Sequence, residues 1–326
     1  MPETATMASI DRVAHRLKLR DLRLFDVVVR SKSMARAATQ LNLTQPAVSK
    51  AISELEHTLG VRLLDRSRNG IEPTPHGRAL LKRGAAIFDE IRQGVTELNF
   101  LSDPTAGEVR IATSEPMAAG FLPLVIARMT RLSPRASVFV RQSPIGTLSY
   151  RTPPYRELRE REVDLVVGQI VKPSVDDDAQ AEKLFDDAPV VAVGARSRWC
   201  RSKTLGLQDL MGEPWCLPPA DTQVGVRCAD AFRASGLDIP RTTVVSVSIQ
   251  LQVGLLATGH YLTILPSSLL SLSGRRMSIR ALPIRLPVEP STVGIVTLKN
   301  RTISPVAQLF IQAAREVAKS LDQGRR

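Results

Sequence analysis

Gln45, Ser49 and Ser53 recur four residues apart, with Pro46 and Lys50 beside them. Short or flexible hydrogen-bonding groups gathered at the start of one helix suit contact with base edges and phosphates rather than bond-making. Little else arranges chemistry. Cys200, Cys216 and Cys228 form no C-x-x-C pair and cannot close a disulfide framework. His15, His57, His76 and His260 lack ligand spacing, so neither a metal nor a cofactor is expected. No G-x-S-x-G, phosphate-loop or dinucleotide glycine motif is present. Asp176-Asp177-Asp178 and Asp186-Asp187 resemble a magnesium site, but their polar, loop-like surroundings read as solvated surface.

The 326 residues allow two or three compact units, and 43% hydrophobic with 23% charged residues is ordinary globular usage. The most apolar stretch, residues 251–270, is interrupted by Gln252, Gly254, Gly259, His260 and Pro266, so no membrane span is expected. The first fifteen residues lack an apolar signal core, which predicts a cytosolic protein. Net charge is +12, and it is unevenly spread. Residues 16–83 carry fourteen Lys/Arg against six Asp/Glu, about three times the charge density of residues 105–326. Such a segment suits the phosphates of duplex DNA. Aromatics at 4% argue against stacking on single-stranded bases.

The elements that must hold these residues follow from periodicity. Leu22, Phe25, Val28 and Val29 predict a helix over about 19–30. Ser33 caps a second, 34 to about 41, whose Ala35, Ala37 and Ala38 permit close crossing by a neighbour. Thr44 caps a third, 45 to about 59, with Pro46 in its first turn. Val48, Ile52, Leu55 and Leu59 make its buried stripe, and Gln45, Pro46, Ser49, Lys50 and Ser53 lie off it. Gly60 ends the helix. Asn69-Gly70 predicts a hairpin with Arg66 and Arg68 near the tip, where arginines hold a phosphate backbone or a narrow minor groove.

Over residues 22–81 the sequence resembles the winged helix-turn-helix of LysR-type transcriptional regulators. The matching residues are Ser33, Ala37-Ala38, Leu41, Thr44-Gln45-Pro46-Ala47-Val48-Ser49, Ile52, Leu55-Glu56, Leu59-Gly60, Leu63-Leu64, Arg66, Thr74, Gly77 and Leu80-Leu81. The resemblance implies base and phosphate contacts for Gln45, Pro46, Ser49 and Lys50, with Ser33 and Arg66 anchoring the backbone. Thr44, Arg36, Ser53 and Arg68 complete the expected DNA-binding set.

Thr74 and Pro75 open a long helix to about residue 102. Leu80, Gly84, Ile87, Ile91, Gly94, Leu98 and Leu101 step by four and three along it. A second stripe of Leu81, Phe88 and Val95 runs beside the first. Two adjacent apolar stripes predict a dimer contact through Leu80, Leu81, Ile87, Phe88, Ile91, Val95 and Leu98. Similar proteins dimerise there and commonly form tetramers through the second domain.

After a linker at 103–107, β-branched runs (108–113, 137–142, 163–168, 189–194, 242–248, 261–265, 291–298) alternate with helical ones (117–130, 222–234, 250–258, 305–321). That pattern predicts a mostly parallel α/β domain. The resemblance implies two lobes of periplasmic-binding-protein type, with crossovers after about Gly168 and near Leu265. The expected divisions are an extension over 1–18, a winged domain over 19–75, a linker helix over 76–104 and an effector domain over 105–326. Lobe I would comprise 105–168 with 267–326, and lobe II 169–266.

Ligands of open α/β sheets collect at strand carboxyl ends and helix N-termini. Thr113, Ser114, Gln142, Ser143, Pro218, Thr222, Ser246, Ser248 and Leu265 are therefore the expected effector residues, with a carboxylate as a suitable ligand. Ordinary helix capping is the alternative for Ser114 and Thr222, and capping and ligand binding can coexist. Arg141, Arg151 and Arg227 could pair with an acid, but read first as surface cations. Residues 150–155 read as a small insertion at one cleft edge, and Tyr261 as bulkier than its counterparts.

The leading expectation is a transcription regulator of cytosolic location that binds double-stranded DNA and answers to a small-molecule effector. RNA polymerase is a further partner if the chain activates. A redox switch using the second-lobe cysteines is a related alternative, although Cys216 in a strand and Cys228 in a helix suggest buried thiols. An enzyme domain fused to a DNA-binding head is the least favoured reading.

Overall fold

The computed structural model describes residues 13, 15–67, 70–143, 155–170, 178–202 and 204–323. The chain forms two compact units that divide at Arg92/Gln93.

The first unit contains α1 (Leu19–Ser31), α2 (Met34–Leu41), α3 (Gln45–Leu59), the antiparallel strands β1 (Leu64–Ser67) and β2 (Gly70–Pro73), and the start of α4 (Pro75–Ser102). Its core is the expected set of stripes. Phe25 and Val28 of α1, Ala37 and Ala38 of α2, and Val48, Ile52 and Leu55 of α3 are buried together with Leu63, Leu64 and Ile71. The alanines of α2 allow the backbones of α1 and α3 to approach it, as their size predicts.

The second unit holds two five-stranded mixed sheets with the same plan. The first has the order β4-β3-β5-β12-β6, formed by β3 (Ala106–Thr113), β4 (Arg135–Gln142), β5 (Leu165–Gln169), β6 (Ala179–Asp187) and β12 (Ser291–Leu298). The second, β11-β7-β10-β8-β9, uses β7 (Pro189–Gly194), β8 (Trp215–Leu217), β9 (Thr242–Val245), β10 (Leu262–Pro266) and β11 (Ile279–Ala281). In each, three parallel strands are followed by two that run antiparallel to their neighbours. The sheets are thus less parallel than the alternation of elements predicts.

Helices α5 (Glu115–Ala119), α6 (Phe121–Leu132), α7 (Arg156–Arg159) and α11 (Pro305–Gln323) belong with the first sheet, α8 (Gln223–Ala234), α9 (Ile249–Ala257) and α10 (Ser267–Met277) with the second. Phe121 and Phe185, with ring centroids 5.4 Å apart, sit with Phe310 in the first core. In the second, Trp215 meets Phe232 edge-on at 5.2 Å and donates its indole N–H to Leu210 O at 3.0 Å.

Strand pairing moves both lobe boundaries. β6 pairs with β12, so the first crossover lies at Ala188 between Asp187 and Pro189, not after Gly168. β11 pairs with β7, so the chain stays in the second lobe beyond Leu265 and returns only ahead of Ser291. β6 escapes sequence reading because most of its side chains are polar and only Phe185 and Asp187 are buried. The single helix expected over 117–130 is two, parted at Gly120, where a Cβ would stand 3.2 Å from Leu269 Cδ1. The strand expected to reach Ser248 stops at Val245.

Candidate nucleic-acid interface and effector cavity

Helix α3 is set up by its own ends. Thr44 Oγ1 accepts from Ala47 N–H at 3.4 Å, Pro46 occupies the first turn, and Gly60 takes the left-handed conformation at φ 70° beyond the last turn. With Val48 and Ile52 inward, Gln45, Pro46, Lys50 and Ser53 are exposed and Ser49 is half-buried between them. Lys50 lies 3.8 Å from Glu54, both well solvated, so the contact holds the lysine only weakly. Ser33 caps α2 by accepting from Arg36 N–H at 3.4 Å, and the Arg36 side chain is exposed.

Two clamps fix the strand pair behind this helix. Glu56 Oε1 accepts from Leu63 N–H at 2.7 Å and Leu64 N–H at 3.2 Å, tying the entry of β1 to α3. Buried Thr74 donates to Arg62 O at 2.8 Å and accepts from Gly77 N–H at 3.0 Å, closing the exit onto α4. Gly77 is required there because a Cβ would come within 2.2 Å of Leu63 O. Arg66 is a β1 backbone position opposite Ile71. Its side chain and all of Arg68 lie outside the described residues.

Along α4, Leu80 and Leu81 pack against the first unit's core. Phe88 is half-buried, whereas Ile87, Ile91, Val95 and Leu98 are exposed, Leu98 by 64%. The expected stripe is therefore free over its second half and covered at its start.

The second unit contains a cavity of about 390 Å³ bordered by both lobes. Its lobe I wall is polar, with Ser114, Glu115, Gln142, Ser143, Gln169, Asp187 and Ser291. Its lobe II wall is mostly apolar, with Val224, Val247, Ile249, Ile264 and Leu265, together with Arg227, Cys228 and Gln252. A small organic molecule fits such a volume and such a division of polarity.

Of the nine expected effector residues, Ser114, Gln142, Ser143, Pro218 and Leu265 border the cavity. Thr113, Thr222, Ser246 and Ser248 are not among its lining residues, and each has a local structural bond. Thr113 is buried and donates to Val167 O at 2.7 Å. Thr222 caps α8, Ser248 caps α9, and Ser246 Oγ accepts from Ser248 N–H.

Two readings of charge are corrected. Asp187 is buried at the cavity edge rather than solvated, and accepts from Ser267 Oγ at 3.0 Å, Ser268 N–H at 2.9 Å and Ser268 Oγ. Arg227 is half-buried, borders the cavity and donates to Glu289 O. Sequence spacing could not find either. Which face of α8 meets the cleft depends on the opposite lobe, and Asp187 owes its burial to a crossover 80 residues from its serine partners. Arg141 pairs with Glu162, Asp178 with Arg159, and Arg151, Asp176 and Asp177 lie outside the described residues. So do residues 150–154 of the expected insertion, while Tyr155 is buried with its hydroxyl 3.3 Å from Gln169 O.

Two of the three cysteines are shielded by burial. Burial raises the Cys216 thiol above its usual range. Cys228 is pushed up to about 12 by burial, against a small opposing effect of Arg227. The thiolate is the reactive form, so both are inert near neutrality. Cys200 is half-buried, its sulfur 3.4 Å from Gly194 O.

Residues 19–78 match the family described as bacterial regulatory helix-turn-helix protein, lysR family, and residues 102–319 match LysR substrate binding domain. The chain is 29% identical to HTH-type transcriptional regulator GbpR of Azospirillum brasilense over 311 residues, covering 92% of this chain and 86% of that protein. It is 27% identical to HTH-type transcriptional regulator TdcA of Escherichia coli over 299 residues, covering 92% and 93%. Among solved structures, the LysR family regulator CbnR superposes with a TM-score of 0.62 at 20% identity, over 93% of this chain and 99% of that one. CbnR bound to its target DNA gives 0.51 at 22% identity, over 93% and 100%. No described helix is long and apolar enough to cross a membrane. The chain belongs to the LysR-type transcriptional regulators and is a DNA-binding regulator with an effector-binding domain.

Proposed function

We propose that Gln45 and Ser49 read base edges from the first turns of α3. Lys50, Ser53, Thr44, Pro46, Ser33 and Arg36 meet phosphates and sugars around them, and Arg66 and Arg68 hold the backbone beside the wing. Support comes from the sorting of α3, in which one row is solvent-facing while Val48, Ile52 and Leu55 fill the core. The exposed row of Ile87, Ile91, Val95 and Leu98 serves a second copy of the chain.

The effector binds in the cavity between the lobes, where it touches both walls. A ligand favours the arrangement in which both contacts are made, and this differential affinity biases how the assembly holds DNA. The cavity carries this reading: it joins a polar wall from one lobe to an apolar wall from the other. We place the protein in the cytosol, read its second unit as a sensor rather than a catalyst, and expect contact with RNA polymerase where it activates.

The test is binding to the DNA upstream of its own gene against scrambled DNA at two salt concentrations. A preference of about 10³ or more, kept at the higher salt, supports base reading. Equal, steeply salt-dependent binding to both refutes it. Incubation of the ligand with protein, followed by its recovery unchanged, tests the sensor reading.

A further inference from the structure

Among the described residues, the charged side chains lining the cavity are Glu115, Asp187 and Arg227. Asp187 is already satisfied. Its carboxylate caps the first turn of α10 and takes both serine hydroxyls, so its charge is spent within the protein. The other two have no ion-pair partner among the described residues. Glu115 accepts from Gln250 N–H at 3.3 Å, and no described cation pairs with it. Arg227 donates to the neutral carbonyl of Glu289, and no described carboxylate pairs with it. Among the described residues the cavity thus holds a carboxylate with no paired cation on its lobe I wall, helped only by the first turn of α9, and a guanidinium with no paired carboxylate on its lobe II wall.

This pattern redirects the carboxylate expected at Ser114. A ligand carboxylate placed there lies beside Glu115, on a wall carrying two acids and no described cation. Like charges at close range in a partly desolvated site repel. The same carboxylate at Arg227 gains a guanidinium with donors to spare. Gln252 adds a separate demand, for a ligand that also carries a donor. It is 3% exposed, its Nε2 is committed to Ser246 O at 3.0 Å, and its buried Oε1 has no partner among the described residues. A flipped amide would set oxygen against oxygen, so the unmet need is for a ligand donor.

We propose that the effector is a small zwitterion of amino-acid type, its ammonium facing Glu115, its carboxylate held by Arg227, and its apolar side chain lying on Val224, Val247, Ile249 and Ile264. Each charge belongs to a different lobe, so a molecule carrying both bridges the cleft. An analogue carrying only one engages a single wall. The proposal rests on the cavity being the effector site.

The experiment is thermal-shift and calorimetric titration of the full-length protein with the twenty L-amino acids. Each hit is then compared with its des-amino acid and its decarboxylated amine. A parallel set of dicarboxylates, aromatic acids and neutral polyols runs alongside. At least one amino acid should bind, with both single-charge analogues at least tenfold weaker. Glu115→Gln should abolish discrimination against the des-amino acid, and Arg227→Gln should abolish discrimination against the amine. Arg227→Lys should keep a measurable part of it, and its unfolding midpoint separates lost charge from lost fold. If no amino acid binds, or the des-amino acids bind as tightly, the zwitterion reading is overturned. If another compound then binds and Ser114→Trp blocks it, the cavity is still the effector site. Binding that survives Ser114→Trp overturns the site as well.

Discussion

Replacing Arg301 by methionine should cost the second unit about 3–5 kcal/mol, the range for removing one partner of a buried ion pair. Arg301 and Asp164 are only 8% and 7% exposed, and Arg301 Nη2 lies 2.7 Å from Asp164 Oδ1. Arg301 also donates to Val163 O. Asp164 accepts from Gln93 Nε2 at 3.2 Å and from Arg110 N–H at 2.8 Å. After the substitution the carboxylate keeps these neutral donors but loses the Arg301 guanidinium, and Val163 O loses the Arg301 donor. Methionine restores volume, so the loss reports charge and hydrogen bonding rather than a void. In a domain of this size each kcal/mol moves the midpoint by about 2–4 °C, giving a fall of about 6–20 °C. Trp199 and Trp215, the chain's two tryptophans, both lie beyond Gln93. Tryptophan fluorescence during urea or thermal unfolding therefore reports this unit alone. Combining Arg301→Met with Asp164→Leu should recover part of the loss, because the stranded charge goes too. A loss below about 1 kcal/mol, the size of an exposed pair, would refute the reasoning.

Gln45→Ala or Ser49→Ala should weaken binding to the cognate operator by about 1–3 kcal/mol while leaving random DNA nearly unaffected, as measured by fluorescence anisotropy. Equal loss on both would remove the base-reading role. Gly77→Ala should lower the melting point of the first unit, since its Cβ would stand 2.2 Å from Leu63 O. Circular dichroism of the helices checks it, and an unchanged midpoint would show that the β1 entry yields freely. Ile91→Glu with Leu98→Glu should shift the protein toward monomers in analytical ultracentrifugation. The Cys228 thiol titrates near 9.0 when unfolded and about 12 when folded. The folded state thus keeps its proton longer, and this contribution to stability is complete below pH 9 and is lost as pH rises toward 12. At pH 8 a thiol reagent should reach Cys200 well before Cys216 or Cys228. Rapid labelling of all three would contradict the burial.

What was legible in the sequence had a period or a cap to announce it. Helix α3 shows both, in Val48, Ile52 and Leu55 and in Thr44 and Gly60. β6 and α10 show neither. The residues Ala179–Asp187 put a single large apolar group, Phe185, into the core, and α10 is rich in serine. Missing those two elements displaced both lobe boundaries, and with them the burial of Asp187. The cavity was half legible for a related reason. Strand ends and caps mark Ser114, Gln142 and Ser143, but Arg227, Gln252 and Val293 enter it only because two sheets distant in sequence face each other.

The discontinuity of lobe I sets an order on synthesis. Residues 189–281 carry every strand of the second sheet, so that lobe can complete itself as it leaves the ribosome. The first cannot. β12 lies between β5 and β6 in the sheet, and its first residue follows the end of β6 by about a hundred positions. β5 ends at Gln169, so at usual elongation rates of 5–20 residues per second it waits about 6–24 s with its inner edge unpaired and Leu165, Val166 and Val167 uncovered. Over that interval the nascent chain offers an apolar strand edge to any neighbour on the same message. Demand for chaperone, and the yield on rapid overexpression, should therefore track the translation speed of codons 188–298 more than that of the DNA-binding segment.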